Sequence, residues 1–535
     1  MTKPAPRWWQ TGIIYQIYPR SFMDANGDGV GDLRGILQRL DYLEWLGVDA
    51  LWLSPIYPSP MADFGYDVAD YTGIHPLFGT LEDFDALLAA AHARGLRVLL
   101  DLVPNHTSSE HPWFQEARAS RANPKRDWYI WRDPAPDGGP PNNWLAYFGG
   151  SMWTFDQATG QYYLHSFLPE QPDLNWRNPE VKAAIFDAMR FWLDRGVDGF
   201  RIDVIDRMYK DEALRDNPPN PDYVEGRDNP GWSQIRLYSE NQPGIGALIA
   251  EFRAVFDAYE DRVSIGEIAY STDPRAITGF YSASTAEGER PALHLPFNFA
   301  LILLPWRARD IQAFVDAYEA ALPAGAWPNY VLGNHDMTRV ATRLGDAGAR
   351  LAALLLLTLR GTPFIYQGEE LGLRDGPVPP ERYQDPQGIN TGVSRDPERT
   401  PFHWDGGPNA GFTTGEPWLP IAPDYRELNV EAERADLRSM LALYRALIDQ
   451  RRAHPALTIG DYRALPAPED CFIYLREHGD ERFLIALNFS RATRTASLPE
   501  PTAGEIVIST QLDRHGPVLL DALALRPEEG VLVRL

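Results

Sequence analysis

Short apolar runs alternate with amphipathic stretches along most of this chain, and no other feature restricts its fold as tightly. Ile13 to Tyr18 is strand-like, after which Leu33, Ile36, Leu37, Leu40, Leu43 and Leu46 recur at helical spacing. The run Ala50 to Leu53 follows, then a helix from Thr80 to Arg94, opened by a Thr with acidic residues just behind it, then the run Leu96 to Asp101. After an interruption the rhythm resumes with a helix Pro179 to Arg195, a strand Gly199 to Asp203, a helix Gly244 to Tyr259 and a strand Val263 to Glu267. Less regular strands at Leu293 to Phe297, Tyr330 to Leu332 and Pro363 to Tyr366 bring the count to eight. Eight strands separated by helices predict an α/β chain closed into a parallel (β/α)8 barrel.

The interruption, from about His106 to Asn175, is rich in Trp, Pro, Gly and Asn, which predicts a subdomain inserted after strand three. From Gln367 to about Tyr425 a Pro-, Gly- and Asp-rich stretch is too long for an idle connection and is read as part of the active-site rim. A helix Ala432 to Arg452 follows. Alternating runs at Cys471 to Arg476, Arg482 to Phe489, Glu505 to Ser509 and Gly530 to Leu535 then suggest a terminal antiparallel β-sandwich. The expected domains are residues 1–105 with 176–455 for the barrel, 106–175 for the insert and 456–535 for the sandwich.

A chain of 535 residues exceeds one ordinary core, in keeping with that division. Its single cysteine, Cys471, excludes an internal disulfide and any Cys-based zinc site. The N-terminal stretch lacks the apolar run of a secretory signal, and no segment reaches membrane-spanning length, so a cytoplasmic protein is expected. A formal net charge of −24 repels nucleic acid and anionic lipid and favours small neutral substrates.

The barrel fold puts chemistry at the carboxyl ends of its strands. Strand three ends Asp101-Leu102-Val103-Pro104-Asn105-His106, strand four ends with Arg201 and Asp203, strand five with Glu267, and strand seven is followed by Asn334-His335-Asp336. Strand alternation points Arg201 and Asp203 to the same side, so the guanidinium favours an ionised Asp203. A purely structural Arg-Asp pair remains the plain alternative on those two residues alone. Two carboxyls at one barrel mouth suit glycoside hydrolysis, with Asp203 as nucleophile and Glu267, on an apolar strand, as the protonated acid/base. Asp336 is assigned to grip sugar hydroxyls in the transition state and help keep Glu267 protonated, while His106 and His335 donate to hydroxyls of the same ring. Neither His has a second His or Cys at ligand spacing, which weakens a metal reading.

These regions resemble the signature segments of the α-amylase family, glycoside hydrolase family 13. Narrower marks are Gly65-Tyr66-Asp67-Val68-Ala69-Asp70-Tyr71, Gln171-Pro172-Asp173-Leu174-Asn175, Gly361 to Glu370 and Arg399-Thr400-Pro401, which resemble its α-glucosidase and oligo-1,6-glucosidase branch. The resemblance implies a blind pocket for one non-reducing glucose, lined by Asp63, Tyr66, His106, Phe167, Arg201, His335, Asp336 and Arg399, with Tyr66 stacking on the ring. It also implies a retaining exo-α-glucosidase, monomeric or homodimeric, acting on short α-glucosides with some glucosyl transfer. A sucrose or maltose isomerase or a trehalose synthase shares this scaffold, and Val204, next to the nucleophile, does not decide linkage preference. A non-catalytic transporter accessory chain would carry a membrane segment and lack the acid pair, neither of which fits.

Asp24-Ala25-Asn26-Gly27-Asp28-Gly29-Val30-Gly31-Asp32 presents oxygen donors at alternate positions, as a hard cation requires. An EF-hand fails, because its twelfth position is Gly35 and no helix precedes the loop. The family has a cation loop after its first strand, which implies structural Ca²⁺ or Mg²⁺ held by Asp24, Asn26, Asp28, the Val30 carbonyl and Asp32. The alternative is an Asx-rich turn without metal.

Overall fold

The computed structural model describes residues 5–225, 230–496 and 503–535. Residues 1–4, the start of the stretch read for a secretory leader, lie outside the described residues. Eight short strands form the central sheet: β1 Ile14–Ile17, β2 Ala50–Leu53, β3 Arg97–Leu102, β4 Gly199–Ile202, β5 Val263–Gly266, β6 Leu295–Pro296, β7 Asn329–Val331 and β8 Thr362–Tyr366. Their order is β6-β5-β4-β3-β2-β1-β8-β7, every pair parallel. At the seam between β6 and β7 side chains take over from the ladder, where Pro296 has no N–H to offer. Asn298 donates from its backbone N–H to Asn329 Oδ1 (3.0 Å) and from Nδ2 to the Asn329 carbonyl (3.1 Å). Asn329 Nδ2 donates in turn to the Pro296 carbonyl (2.6 Å). Two asparagine amides thus hold β6 to β7 and give the sheet its (β/α)8 form.

Alternation along the strands sorts the side chains. Ile14, Trp52, Leu99, Ile265, Leu295, Val331 and Phe364 fill the barrel interior. Tyr15, Leu51, Val98, Leu100, Phe200 and Ile202 face the surrounding helices. Gly199 marks the tightest approach between neighbouring strands, since a Cβ there would lie 2.2 Å from the Val263 carbonyl oxygen. Gly199→Ala therefore pushes β4 off β5 and lowers unfolding stability by about 1–3 kcal/mol, readable from the urea midpoint.

The helices start and stop where capping chemistry directs. Leu81–Ala93 opens with a Thr80/Asp83 capping box, and Pro179–Arg195 runs from an Asn178 cap to left-handed Gly196. Two single helices expected from periodicity are each broken. The first divides into Leu33–Gln38 and Leu40–Leu46 at Arg39, whose φ of −107° and ψ of 8° leave the helical basin. The other divides into Val430–Ala435 and Met440–Ala453, because Asp436 is extended and Ser439 caps a new start.

The insert holds a helix, Pro112–Ala119, and a three-stranded antiparallel sheet of Trp131–Arg132, Gln161–Leu164 and Trp153–Asp156. Bridges His106 to Asp173 and Tyr129 to Leu174 join its two ends at the barrel mouth. The terminal region is a six-stranded antiparallel sheet with a two-stranded ribbon, Arg494–Ala496 and Leu523–Leu525, on one face. Cys471, Ile473 and Leu475 share a core with that ribbon, whereas Phe472 and Tyr474 pack toward the barrel. Between Tyr366 and Val430 the chain carries only short helical turns, Pro386–Thr391 among them, and supplies side chains to the mouth of the barrel.

Candidate active site

Strand register builds the centre of the site. Asp101 on β3 lies opposite Arg201 on β4, and Ile202 lies opposite Gly266 on β5, so Asp203 and Glu267 leave adjacent strand ends together. Arg201 Nη1 donates to Asp101 Oδ1 and to Asp203 Oδ1, both at 2.8 Å, and its Nη2 donates to Glu267 Oε2. The next residue, Val204, is in the left-handed region (φ 36°, ψ 48°), a strained setting for a β-branched side chain. That turn aims the Val204 N–H at Glu267 Oε2, 3.3 Å away.

One guanidinium serving three carboxyls changes the charge balance anticipated for Asp203. Burial raises the Asp203 pKa above the ordinary carboxylate range, and Arg201 lowers it without cancelling that effect. Arg201 favours the ionised form of Asp203, but it also binds Asp101 and Glu267, and the Asp101 charge adds to the effect of burial. Glu267 is pushed up to about 7, mainly by burial, with the Asp203 and Asp336 charges adding to it against Arg201. A hydrogen bond from Glu267 favours the charged form of Asp203, which places the proton of the pair on Glu267.

Asp336 behaves oppositely. Burial disfavours its charge, yet the Arg395 and Arg399 guanidiniums hold it well below the usual carboxylate range. Arg399 Nη2 lies 2.7 Å and Arg395 Nη1 3.0 Å from its Oδ1, and His335 Nε2 lies 3.4 Å from Oδ2. Burial depresses the His335 pKa to about 3, so this ring is neutral. With Gln16 Nε2 donating to His335 Nδ1 (2.7 Å), the ring proton sits on Nε2 and meets the Tyr66 hydroxyl (2.7 Å), which donates to Asp101 Oδ2 (3.0 Å). His335 also lies flat between Tyr66 and Tyr18, at centroid distances of 5.4 and 5.6 Å. His106 Nε2 donates to the Tyr66 carbonyl (2.9 Å). Both imidazoles therefore give their N–H to Tyr66, not to an open position, because the buried wall has to satisfy its own polar groups first.

Asp203, Glu267, Asp336 and His335 share one cavity of about 330 Å³ with Asp63, Tyr66, His106 and Phe167. Arg201 and Arg399, expected on its wall, sit behind it with side chains 3% and 1% exposed, where their charge acts through the carboxylates they touch. Arg395, which pattern reading passed over, lines the cavity. It bonds Asp63 Oδ1 (2.9 Å), Asp336 and Asp385, and lies over the Phe148 ring. Its only sequence signal was a position four residues before Arg399 in the long segment after strand eight. Gln171, quoted only as part of a motif, donates to Asp63 Oδ2 (3.1 Å).

The loop from Asp24 to Asp32 lies apart from this cavity. Asp24 Oδ1 accepts from the Asn26 and Gly27 amides, Asn26 Oδ1 from Asp28, Asp28 Oδ1 from Val30, and Asp32 caps the helix that begins at Leu33. Only glycine fits at position 29, with φ 93° and the Glu416 carbonyl 1.9 Å from where a Cβ would stand. Among the described residues no group of three or more His, Cys, Asp or Glu side chains is arranged to hold a metal ion. A cation in this loop depends on the Asn26 amide and the Val30 carbonyl as well as on carboxylates.

The sequence profile described as alpha amylase, catalytic domain, matches residues 16–460 of this chain. The chain belongs to the α-amylase family. As a member it is a glycoside hydrolase. It is 43% identical to a probable alpha-glucosidase of Rhizobium meliloti (strain 1021), over 96% of each chain. It is 40% identical to an oligo-1,6-glucosidase of Parageobacillus thermoglucosidasius, over 99% of each. The crystal structure of an alpha-glucosyl transfer enzyme, XgtA, superposes with a TM-score of 0.91 at 43% identity, covering 99% of this α-amylase family chain and 100% of the other. Among the described residues no helix is long and apolar enough to cross a membrane.

Proposed function

We propose that this protein is a retaining, exo-acting α-glucosidase that releases glucose from the non-reducing end of short, neutral α-glucosides. The observation that carries the reading is the single Arg201 guanidinium bound to both Asp203 and Glu267, with the shared proton favouring Glu267. Asp203 attacks the anomeric carbon while Glu267 protonates the departing oxygen, and Glu267, then a carboxylate, takes a proton from water as the glucosyl ester is cleaved. Asp336, kept anionic, stabilises the positive charge that develops on the sugar. Arg395, tying Asp63 to Asp336, supports a pocket closed on its glycone side and hence exo action. The names of the relatives support the α-glucosidic linkage, and the transfer enzyme among them supports glucosyl transfer to sugar acceptors as a side reaction. Proton NMR taken within seconds of mixing with p-nitrophenyl α-glucoside, whose only glucose is the one transferred, is expected to show α-glucose first; β-glucose as the first product would exclude retention. Chromatography of products from maltose, isomaltose, sucrose and trehalose separates this reading from an isomerase, which would return rearranged disaccharide. Cytoplasmic residence and a monomeric or homodimeric state belong to the same proposal.

The loop at Asp24, Asn26, Asp28, Val30 and Asp32 is proposed to hold a structural Ca²⁺ or Mg²⁺. Alternating oxygen donors support it, as does Asp32, whose pKa burial and the Asp24 and Asp28 charges raise and a bound cation would bring back down. Chelation is expected to lower Tm by several degrees without altering kcat at 25 °C, since a cation at a hundred times its Kd contributes about 2.7 kcal/mol. An unchanged Tm with no metal by elemental analysis overturns the assignment.

A further inference from the structure

A second cleft, of about 560 Å³, opens where the insert meets the loop that follows β4, and it shares no lining residue with the reaction cavity. The chain's formal net charge is −24, yet five cations line this cleft against three carboxylates. All three carboxylates are engaged. Glu212 pairs with Arg177 (3.0 Å), Asp211 with Arg215 (2.8 Å), and Asp127 Oδ1 accepts from the Asn175 amide (3.2 Å). Of the other cations, Lys210 is held by Asp173 (3.0 Å) and Arg121 by Asp133 (3.1 Å). Arg126 and Arg132 differ, since among the described residues neither has a carboxylate partner. Arg126 donates to neutral oxygens alone, from Nη1 to the Ala117 carbonyl (3.0 Å) and from Nη2 to Gln161 Oε1 (2.7 Å) and Thr159 Oγ1 (3.1 Å). Its Nε is buried without a hydrogen-bond partner, and its guanidinium lies 3.4 Å from the ring centroid of Trp131, whose buried indole N–H is likewise unpartnered. Burial lowers the Arg126 pKa to about 10, as dehydration does to a cation that lacks a counter-charge. Arg132 is exposed and makes one bond, from Nη1 to the Trp131 carbonyl (2.7 Å), which leaves the rest of its fork to solvent or a ligand.

We infer that this cleft binds a phosphate group, inorganic or carried on a sugar, with Arg132 forking to its oxygens and Arg126 supplying the uncompensated charge. An oxyanion replaces the hydration that burial takes from Arg126, and planar guanidiniums match its geometry. The elements on either side define what occupancy does. Residues 121–132 belong to the insert, which also supplies His106 and Phe167 to the reaction cavity, whereas Tyr209 to Glu212 continue the loop from Asp203. An oxyanion bound between them ties these two parts together in the native state and raises Tm.

Titration calorimetry of the whole chain at constant ionic strength, with inorganic phosphate and glucose 6-phosphate as probes, tests the site. One site per chain is expected, weakened about ten- to a hundredfold in Arg132→Gln, the size of one hydrogen bond to a charged group. Arg132→Lys should recover only part of the affinity, since it keeps the charge and loses the fork. Glu212→Gln removes an exposed carboxylate that opposes an anion, so it should tighten binding several-fold, a gain that misfolding cannot produce. Equal affinity for the two probes assigns the site to the free ion, and tighter binding of glucose 6-phosphate assigns it to a phosphorylated sugar. Absence of binding by both probes overturns the inference, as does an affinity unchanged in Arg132→Gln. Displacement of inorganic phosphate by glucose also overturns it, because that would put the ion in the reaction cavity. None of these results bears on the hydrolysis of maltose, so the glucosidase reading stands or falls separately.

Discussion

Asp203→Asn lowers kcat/KM on maltose by about ten-thousandfold or more, because an amide cannot form the glucosyl ester assigned to the Asp203 carboxylate. Glu267→Gln causes a loss of the same order on maltose, but less on p-nitrophenyl α-glucoside, whose departing oxygen needs no proton. The two variants therefore separate on leaving group, which a general loss of folding would not produce; far-ultraviolet circular dichroism checks that both stay folded. The pH profile follows from the same assignment. Activity requires Asp203 ionised and Glu267 protonated, so kcat/KM falls on the alkaline side as Glu267 titrates at about 7. It falls on the acid side at a pH above the usual carboxylate range, because burial raises Asp203. In Glu267→Gln the alkaline limb should vanish. Near-normal turnover in either variant, or an alkaline limb that persists, removes these two residues from the roles given to them.

Arg201→Leu should be the most damaging substitution for the fold. It leaves Asp101, Asp203 and Glu267 buried around an empty centre, and breaking a buried charge network by removing one partner costs about 3–5 kcal/mol. The sign of its pH dependence is fixed by the direction of the shifts. Carboxyls whose folded pKa lies above the unfolded value contribute fully at low pH and lose that contribution as pH rises through the folded value. Glu267 already stands at about 7, and without Arg201 it and Asp203 would stand higher still. The variant's urea midpoint should consequently fall further behind wild type at pH 8 than at pH 5. Arg201→Lys should recover only part of the loss, since an ammonium cannot fork to three carboxyls as a planar guanidinium does. Equal deficits at both pH values would mean that lost packing, not uncompensated charge, dominates.

Both predictions depend on a division visible in particular residues. Backbone period and burial parity are local properties, and they placed all eight strands, the insert after β3, and the terminal sheet whose alternate residues from Cys471 to Leu475 face opposite ways. The same local logic put Asp203, Glu267 and Asp336 beyond strand ends, where a parallel barrel gathers its chemistry. Periodicity did not reveal the helix breaks at Arg39 and Asp436, because apolar spacing continues across a residue whose dihedrals leave the helix.

What the amino-acid order determined, then, is the architecture and which carboxyls leave its strand ends together, since both follow from repeats and neighbours a few residues apart. Tertiary structure alone decided how those carboxyls are charged and enclosed. Arg201 is shared with Asp101 and Glu267, partners 100 and 66 residues away, through the register of three strands. Arg395 reaches Asp63 across 332 residues. Both imidazoles turn to Tyr66, and Val204 is forced into a left-handed turn beside Glu267. Desolvation depends on every group that surrounds a site, and no local stretch of sequence contains that information.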